Sequence, residues 1–512
     1  SVLAEILEYY TVSGAEFCEI QCEMTAKKLE KVKLSESLKN TYKLIKAVSS
    51  LNAFTTVVDA SAPTPKGSQK LYGIPVAIKD NFSTKGIRTT CASNMLKEYV
   101  PTFDATVVQK IIGAGGIIIG KTNMDEFSMG SGCVDSIFGP VRNIWGSHLA
   151  HNLVYKNGKI VQGEVRPEEE FCISGGSSGG STVAVASGIC PAAIGSDTGG
   201  SMRIPASYCG VIGFKPSYGL VSRYGLISLV NSMDVPGIAA CNVETCVNML
   251  DVICGIDIRD STTVNSSLAF DMSEKLDIAT LSIGVPEEYY CDQMSDHMVE
   301  VWSEVLKIFE KSGARIKKVR MPYTSYSIPC YSILTCSEVA SNYARYDGIR
   351  YGHRCNNASS TEELFSRTRH EGFNEVVRGR ILAGNYFILK SNYENYFERA
   401  LKLRRLICED FKKVWQEGID ILITPITLSE APRYKDFIIH DNREQVSIQD
   451  YCSQPANMSG VPAISVPIKL SSQGLPLSIQ LMGQRFKDDL LLNTAYWLEH
   501  QVDFPSVAVQ CT

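Results

Sequence analysis

Apolar and polar positions change rhythm several times along the chain. The first 50 residues carry helical spacing and end in "SLKNTYKLIKAVSSLNAF", whose apolar positions share one face. From about residue 71 the texture predicts alternating elements. "YGIPVAIKD" (72–80) has the continuous apolar run of a buried strand, and "ATVVQKIIGAG" (105–115) reads as a helix stopped by glycine. "GIIIGKTN" (116–123) follows as a second strand. Strand, helix, strand in this order predicts a mainly parallel sheet covered on both faces.

Between 144 and 172 the rhythm is lost. "WGSHLAHNLVYKNGKIVQGEVRPEEEF" is polar and charged without sustained periodicity, and it reads as a surface insertion. The glycine- and serine-rich stretch after 175 looks too rich in turns for regular structure and too apolar for a linker. A βα rhythm returns at "LSIGVPEEYY" (281–290) and "GARIKKVRMP" (313–322). In 393–414, Tyr396, Phe397, Ala400, Leu403, Ile407 and Phe411 recur at helical spacing and predict a helix with a core-facing stripe. "GIDILITP" and "VPAISVPI" complete the set as late buried strands. No internal repeat is visible.

Bulk numbers narrow the picture. At 512 residues the chain can bury a large core, and 44% hydrophobic with 21% charged residues is ordinary for a globular protein. A formal net charge of -5 gives no general pull towards nucleic acid. Seventeen scattered cysteines without paired C-x-x-C spacing point to neither a zinc site nor a disulfide framework; buried thiols in a reducing compartment are expected. The longest apolar run, "IIGAGGIIIG", is about half of what a bilayer crossing needs.

The chemistry concentrates in "ISGGSSGGST" (173–182). From Gly175 to Gly180 it has the glycine spacing of a P-loop, but Ser181 and Thr182 stand where that loop needs Lys then Ser or Thr. A Ser-His-Asp site fails for want of a histidine near these glycines; the nearest, His148 and His151, lie in the polar insertion. A neutral lysine can replace histidine as the base, because burial lowers a lysine pKa by up to about 3–5 units. Lys79 ends a hydrophobic strand, although a salt bridge to Asp80 is the plainer reading of that pair. "GSDTGGS" (195–201) supplies a second serine, Ser201, after glycines whose amides could form an anion-holding nest.

Taken in order, "GIPVAIKDN", "GGSSGGS" and "GSDTGGSMRIPASYCGVIGFKPSYG" resemble the amidase signature family. With "GKTNMDEFSMGS" and "NMSGVPAISVP" the likeness extends over nearly the whole chain. It implies a single large α/β domain over 61–512, its central sheet mixed but mainly parallel and covered by helices. A helical segment, 1–60, would pack on that core, and the insertion would span about 145–171. Carried over by position, the family's triad falls on Lys79 as base, Ser177 as relay following a cis peptide, and Ser201 as nucleophile. The amides of Thr198, Gly199, Gly200 and Ser201 would line the oxyanion hole, while Asp197 and Arg203 brace the loops. Ser178 is the rival to Ser177, and only the family's register separates them.

Within the family the chain is similar to the glutamine-using A-type subunits of amidotransferases. That likeness implies glutamine recognition by Arg380, Asp450 and Tyr331, with a guanidinium for the α-carboxylate and a carboxylate for the α-ammonium. It also implies B and C partner subunits. The B subunit would hold the tRNA and use ATP and Mg, leaving this chain with no metal or cofactor of its own and no membrane contact. The insertion resembles that of animal mitochondrial forms, which implies the mitochondrial matrix. Alternatives are a stand-alone amidase of the same family and a non-catalytic scaffold.

Overall fold

Pro75–Lys79 is buried at every position, and its side chains alternate between two cores. Val76 and Ile78 join the larger apolar cluster, whereas Ala77 joins the smaller one on the opposite face. A strand with apolar neighbours on both sides belongs in the middle of a covered sheet, and this one sits there. The computed structural model describes residues 34–58, 69–150, 152–265 and 276–509. Of the predicted N-terminal helical stretch, 1–33 lies outside the described residues, as does His151.

Fourteen strands are described. They are β1 (Phe54–Val57), β2 (Pro75–Lys79), β3 (Ile117–Thr122), β4 (Asn152–Val154), β5 (Ile160–Gln162), β6 (Ala192–Asp197) and β7 (Ile212–Lys215). After them come β8 (Val235–Ala240), β9 (Ser282–Pro286), β10 (Arg315–Val319), β11 (Ile421–Pro425), β12 (Ala463–Leu470), β13 (Pro476–Gly483) and β14 (Ser506–Ala508). Eleven form one sheet in the order β1-β3-β2-β6-β8-β7-β12-β13-β11-β9-β10. The expected α/β domain with a mixed, helix-covered sheet is present, but the weight of parallel pairing is lower than expected. Only β2 with β3 and β6, and β9 with β10 and β11, pair in parallel; the other six contacts in this sheet are antiparallel. The antiparallel centre comes from β6, β7, β8, β12 and β13.

Two further expectations need correction. The stretch 195–227, read as too turn-rich for regular structure, holds the end of β6, the helix Arg203–Cys209 and β7. Glycines here and in the neighbouring β8 serve close packing: a Cβ on Gly213 would lie 2.3 Å from the Ala206 Cβ, and one on Gly237 of β8 would lie 3.0 Å from Met202 Cβ. The helix therefore lies almost on the sheet backbone. The insertion is also ordered. "LVYKNGKIVQ" folds as the hairpin β4–β5, turning at Asn157-Gly158 with Gly158 at φ +80°, and β14 adds to its free edge. The Asn-Gly signal was in the sequence, but the charged flanks hid it.

At the N-terminal side the helix Leu34–Ala47 packs Leu38 into the smaller core, and β1 joins the edge of the main sheet, so the 1–60 stretch contributes a strand as well as a helix. The helix expected over 393–414 begins with a π turn, Glu394–Glu398, and continues as Arg399–Gln416 with Ala400, Ile407, Phe411 and Val414 buried. Free thiols among the described residues are mostly buried. No helix among these residues is long and apolar enough to cross a membrane.

Candidate active site

Because side chains alternate along β2, Lys79 falls on the Ala77 face, where the helix Gly179–Ala186 covers the sheet. Its Nζ lies 2.7 Å from Ser177 Oγ, 2.9 Å from Ser178 Oγ and 3.0 Å from Ser196 Oγ. No carboxylate reaches it within ion-pair distance among the described residues. Asp80 pairs instead with Lys121 at 3.3 Å and accepts from the Thr90 backbone and hydroxyl, so the plainer Lys79–Asp80 reading does not hold. Lys79 is fully buried. Burial pushes its ammonium down to about 8, against the opposing pull of Cys133, Asp125, Asp197 and Asp234. It is a lysine that can be neutral near physiological pH.

The hydrogen bonds separate the two rival serines. Ser178 spends its proton on the Ser196 carbonyl at 3.1 Å, so towards Lys79 it can only accept. Ser196 Oγ already accepts from Asn81 Nδ2 at 2.9 Å. Ser177 Oγ has no partner but Lys79 among the described residues, so its proton is free to go to the lysine once the amine is neutral, as that of Ser178 is not. The Gly176–Ser177 peptide is cis. Asp125 backs it: a Cβ on Gly176 would lie 2.0 Å from Asp125 Oδ2, and that carboxylate is itself held by the amides of Cys133, Val134 and Asp135.

Ser201 sits at the mouth, partly exposed, just ahead of the helix Arg203–Cys209. Its carbonyl accepts the Ser178 amide at 3.0 Å, which joins the two loops, while its own hydroxyl bonds nothing among the described residues. Asp197 holds the turn before it, bound by Arg203 Nε at 2.9 Å and Nη2 at 3.0 Å and by Asn457 Nδ2 at 2.9 Å. Burial raises the Asp197 carboxyl, but Arg203 and its neighbours overcome this and hold it at about 2. Bracing, the role expected for this pair, is what the geometry shows. Gly200 departs from expectation, because its amide donates to Asp197 Oδ1 at 2.9 Å and is not free for an oxyanion. The amides of Thr198, Gly199 and Ser201 have no acceptor among the described residues, so the free nest is made of these three.

The three head-group candidates converge on this mouth. Tyr331 lies against the nest; a Cβ on Gly199 would be 2.6 Å from its hydroxyl. Burial and the field of Asp450 push its phenol up, while Arg380 pulls the other way. Arg380 donates to Asn442 Oδ1 at 2.8 Å and has no carboxylate within ion-pair distance among the described residues. Asp450, nearly buried, accepts only Gln454 Nε2 at its carboxylate, at 3.3 Å, among the described residues. Burial pushes it up to about 7, with Gln454 and Arg380 pulling down. A guanidinium and a carboxylate, neither in an ion pair among the described residues, thus act on one another and on Tyr331 beside the Gly199 turn.

A family model described as Amidase matches residues 29–151 and 164–492. The chain belongs to the amidase family. Between its two ends the match skips 152–163, a segment within the insertion. Among curated amidase relatives, the A subunit of the mitochondrial glutamyl-tRNA(Gln) amidotransferase of Anopheles gambiae is 54% identical over 449 residues, 87% of each chain. The human protein of the same description is 50% identical over 480 residues, covering 91% of this chain and 90% of its own. The crystal structure of the corresponding A subunit from Thermotoga maritima aligns with a TM-score of 0.74 and 35% identity, over 94% of this chain and 98% of that one. A 6-aminohexanoate cyclic dimer hydrolase, 22% identical, shares the fold with a TM-score of 0.76 over 93% of this chain and 96% of that one.

Sequence reasoning missed Ser196, Asn81 and Asp125 as parts of this amidase site. Each stood inside a quoted motif, yet nothing in residue type marks which polar side chains of a loop turn towards the same buried lysine.

Proposed function

We propose that this chain is the glutamine-hydrolysing A subunit of a mitochondrial glutamyl-tRNA(Gln) amidotransferase. The observation that carries the chemistry is Lys79, buried among three hydroxyls with no carboxylate in ion-pair reach among the described residues to keep it charged. Ser201 Oγ attacks the side-chain carbonyl carbon of glutamine, and its proton passes through Ser177 to neutral Lys79. The resulting oxyanion is held by the amides of Thr198, Gly199 and Ser201; one such donor is worth about 2.7–4 kcal/mol. As the C–N bond breaks, the proton returns through Ser177 to the departing nitrogen, which leaves as ammonia. Water then cleaves the Ser201 ester to give glutamate and restore the hydroxyl.

Arg380 takes the α-carboxylate and Asp450 the α-ammonium, with Tyr331 closing the pocket over Gly199. The released ammonia passes to a B subunit that activates Glu-tRNA(Gln) with ATP and Mg, and a C subunit joins the two in the mitochondrial matrix. A chain of net charge -5 fits a division of labour in which the partner grips the tRNA.

The test is peptide mapping by mass spectrometry after treating the assembled complex with an electrophilic glutamine analogue. An adduct on Ser201 is expected. An adduct on a cysteine, or none in the presence of the partners, would refute the reading.

A further inference from the structure

Two buried polar atoms beside the charged head-group candidates have no partner among the described residues: Nδ2 of Asn442 and Oε1 of Gln454. Buried polar groups are nearly always hydrogen-bonded, so each calls for an explanation. Both belong to side-chain amides whose other end touches a charged head-group residue. Asn442 accepts from Arg380 Nη2 through Oδ1, and Gln454 donates to Asp450 Oδ2 through Nε2.

These contacts also fix which way each amide points. A guanidinium has only donors, so the oxygen of Asn442 must face Arg380 and its NH2 must face away. When Asp450 is ionised its carboxylate has only acceptors, so in that state the nitrogen of Gln454 faces it and the oxygen faces away. Beside the cation there is therefore a free donor, and beside the anion a free acceptor. Each amide extends the polarity of its charged neighbour by one more group. Gln454 is fully buried, and a lone interior amide oxygen costs about 1–3 kcal/mol unless something fills it.

The backbone supports the placement. Asn442 opens the helix Asn442–Gln449, Asp450 caps its end, and Gln454 opens the next helix, Gln454–Ser459. Between them Ser453 donates its hydroxyl to the carbonyls of Gly199 and Asp450, fastening this turn to the oxyanion nest.

We infer that Asn442 and Gln454 are substrate-binding residues, Asn442 Nδ2 donating to the α-carboxylate and Gln454 Oε1 accepting from the α-ammonium of a free amino acid. The inference rests on the assignment of Arg380 and Asp450 to glutamine. It makes the pocket selective for a complete zwitterionic head group rather than for an amide side chain alone.

The experiment compares glutamine with two ligands that lack half of the head group, glutaramate (no α-ammonium) and 4-aminobutanamide (no α-carboxylate), measured as competitive inhibition constants on the full complex. Gln454→Met is expected to raise the KM for glutamine about tenfold, with kcat within about twofold, and to leave glutaramate inhibition unchanged. Asn442→Ala is expected to weaken glutamine and glutaramate alike, and to spare 4-aminobutanamide. If either variant weakens all three ligands equally, or none of them, the inference is overturned. Asn442 is only half-buried, so its variant carries the test should Gln454→Met fail to fold. Arg380→Lys is the control. If it leaves the glutamine KM unchanged, the underlying head-group reading fails; if it raises KM while the two amide variants do not, this inference alone falls.

Discussion

The pH dependence of glutamine hydrolysis follows directly from the burial of Lys79. At saturating glutamine the rate of the chemical step tracks the fraction of Lys79 that is neutral, since only the free amine can take the proton relayed from Ser201. With the ammonium pushed down to about 8, that fraction is about 9% at pH 7, half at pH 8 and about 90% at pH 9. Turnover should therefore rise about tenfold between pH 7 and pH 9 and level off by about pH 9.5. An unperturbed lysine near 10.4 would instead give a rise of about 100-fold over the same interval, with no plateau in sight. The sign is set by burial: desolvation penalises the charged form, so activity grows as pH climbs through the lowered value. Below pH 7 a second ionisation enters at low glutamine. Asp450, raised to about 7, must be ionised to hold the ammonium, so kcat/KM should fall more steeply than kcat. The assay is ammonia release by the full complex from pH 6 to 10, with a pre-steady-state burst to identify the limiting step. A kcat that is flat from pH 6 to 9 while chemistry limits the rate, or one still climbing tenfold per unit above pH 9.5, would refute the role given to Lys79.

Other substitutions probe the same geometry. Ser178→Ala removes two hydrogen bonds, from Lys79 and to the Ser196 carbonyl, but leaves the relay in place and should slow turnover less than about tenfold, whereas Ser177→Ala breaks the relay and should cost about 10²–10⁴; steady-state glutaminase assays showing the reverse order would reassign the relay. Asp450→Asn should remove the ionisation near pH 7 from the kcat/KM profile while leaving the one near pH 8 in kcat. Arg203→Lys leaves the fully buried Asp197 carboxylate without its two-pronged partner and should destabilise the fold by about 3–5 kcal/mol in denaturant titration. Gly176→Ala forces a methyl group into Asp125 and the Cys133 amide, and should abolish labelling of Ser201 by the glutamine analogue.

Much was legible in the residues because it depended on local pattern. The run Pro75–Lys79 announced a buried strand ending in a lysine, and the apolar stripe of 393–414 announced a packed helix. The missing P-loop lysine excluded one chemistry from residue type alone. Less legible were segments whose regularity comes from contact rather than periodicity. The helix Arg203–Cys209 and β7 look like turns because the glycines and small residues there are set by the closeness of helix and sheet, which one segment by itself does not reveal.

The sequence by itself determined the inventory: a lysine at a strand end, serines in two glycine-rich loops, and polar side chains scattered over several hundred residues. Tertiary structure alone decided which of them meet. Lys79 and Asp80 are neighbours in the chain, yet they bond different partners, the serines for one and Lys121 for the other, because successive side chains leave a strand on opposite sides. Ser177 and Ser178 are chemically identical until the Ser196 carbonyl claims the proton of one of them. Arg380 lies in the helix Glu375–Ile388 and Asp450 caps the end of the helix Asn442–Gln449, and it is the fold that brings this cation and anion into each other's field with neither in an ion pair among the described residues. Residue type sets what chemistry is possible; burial and the choice of neighbours set which proton moves.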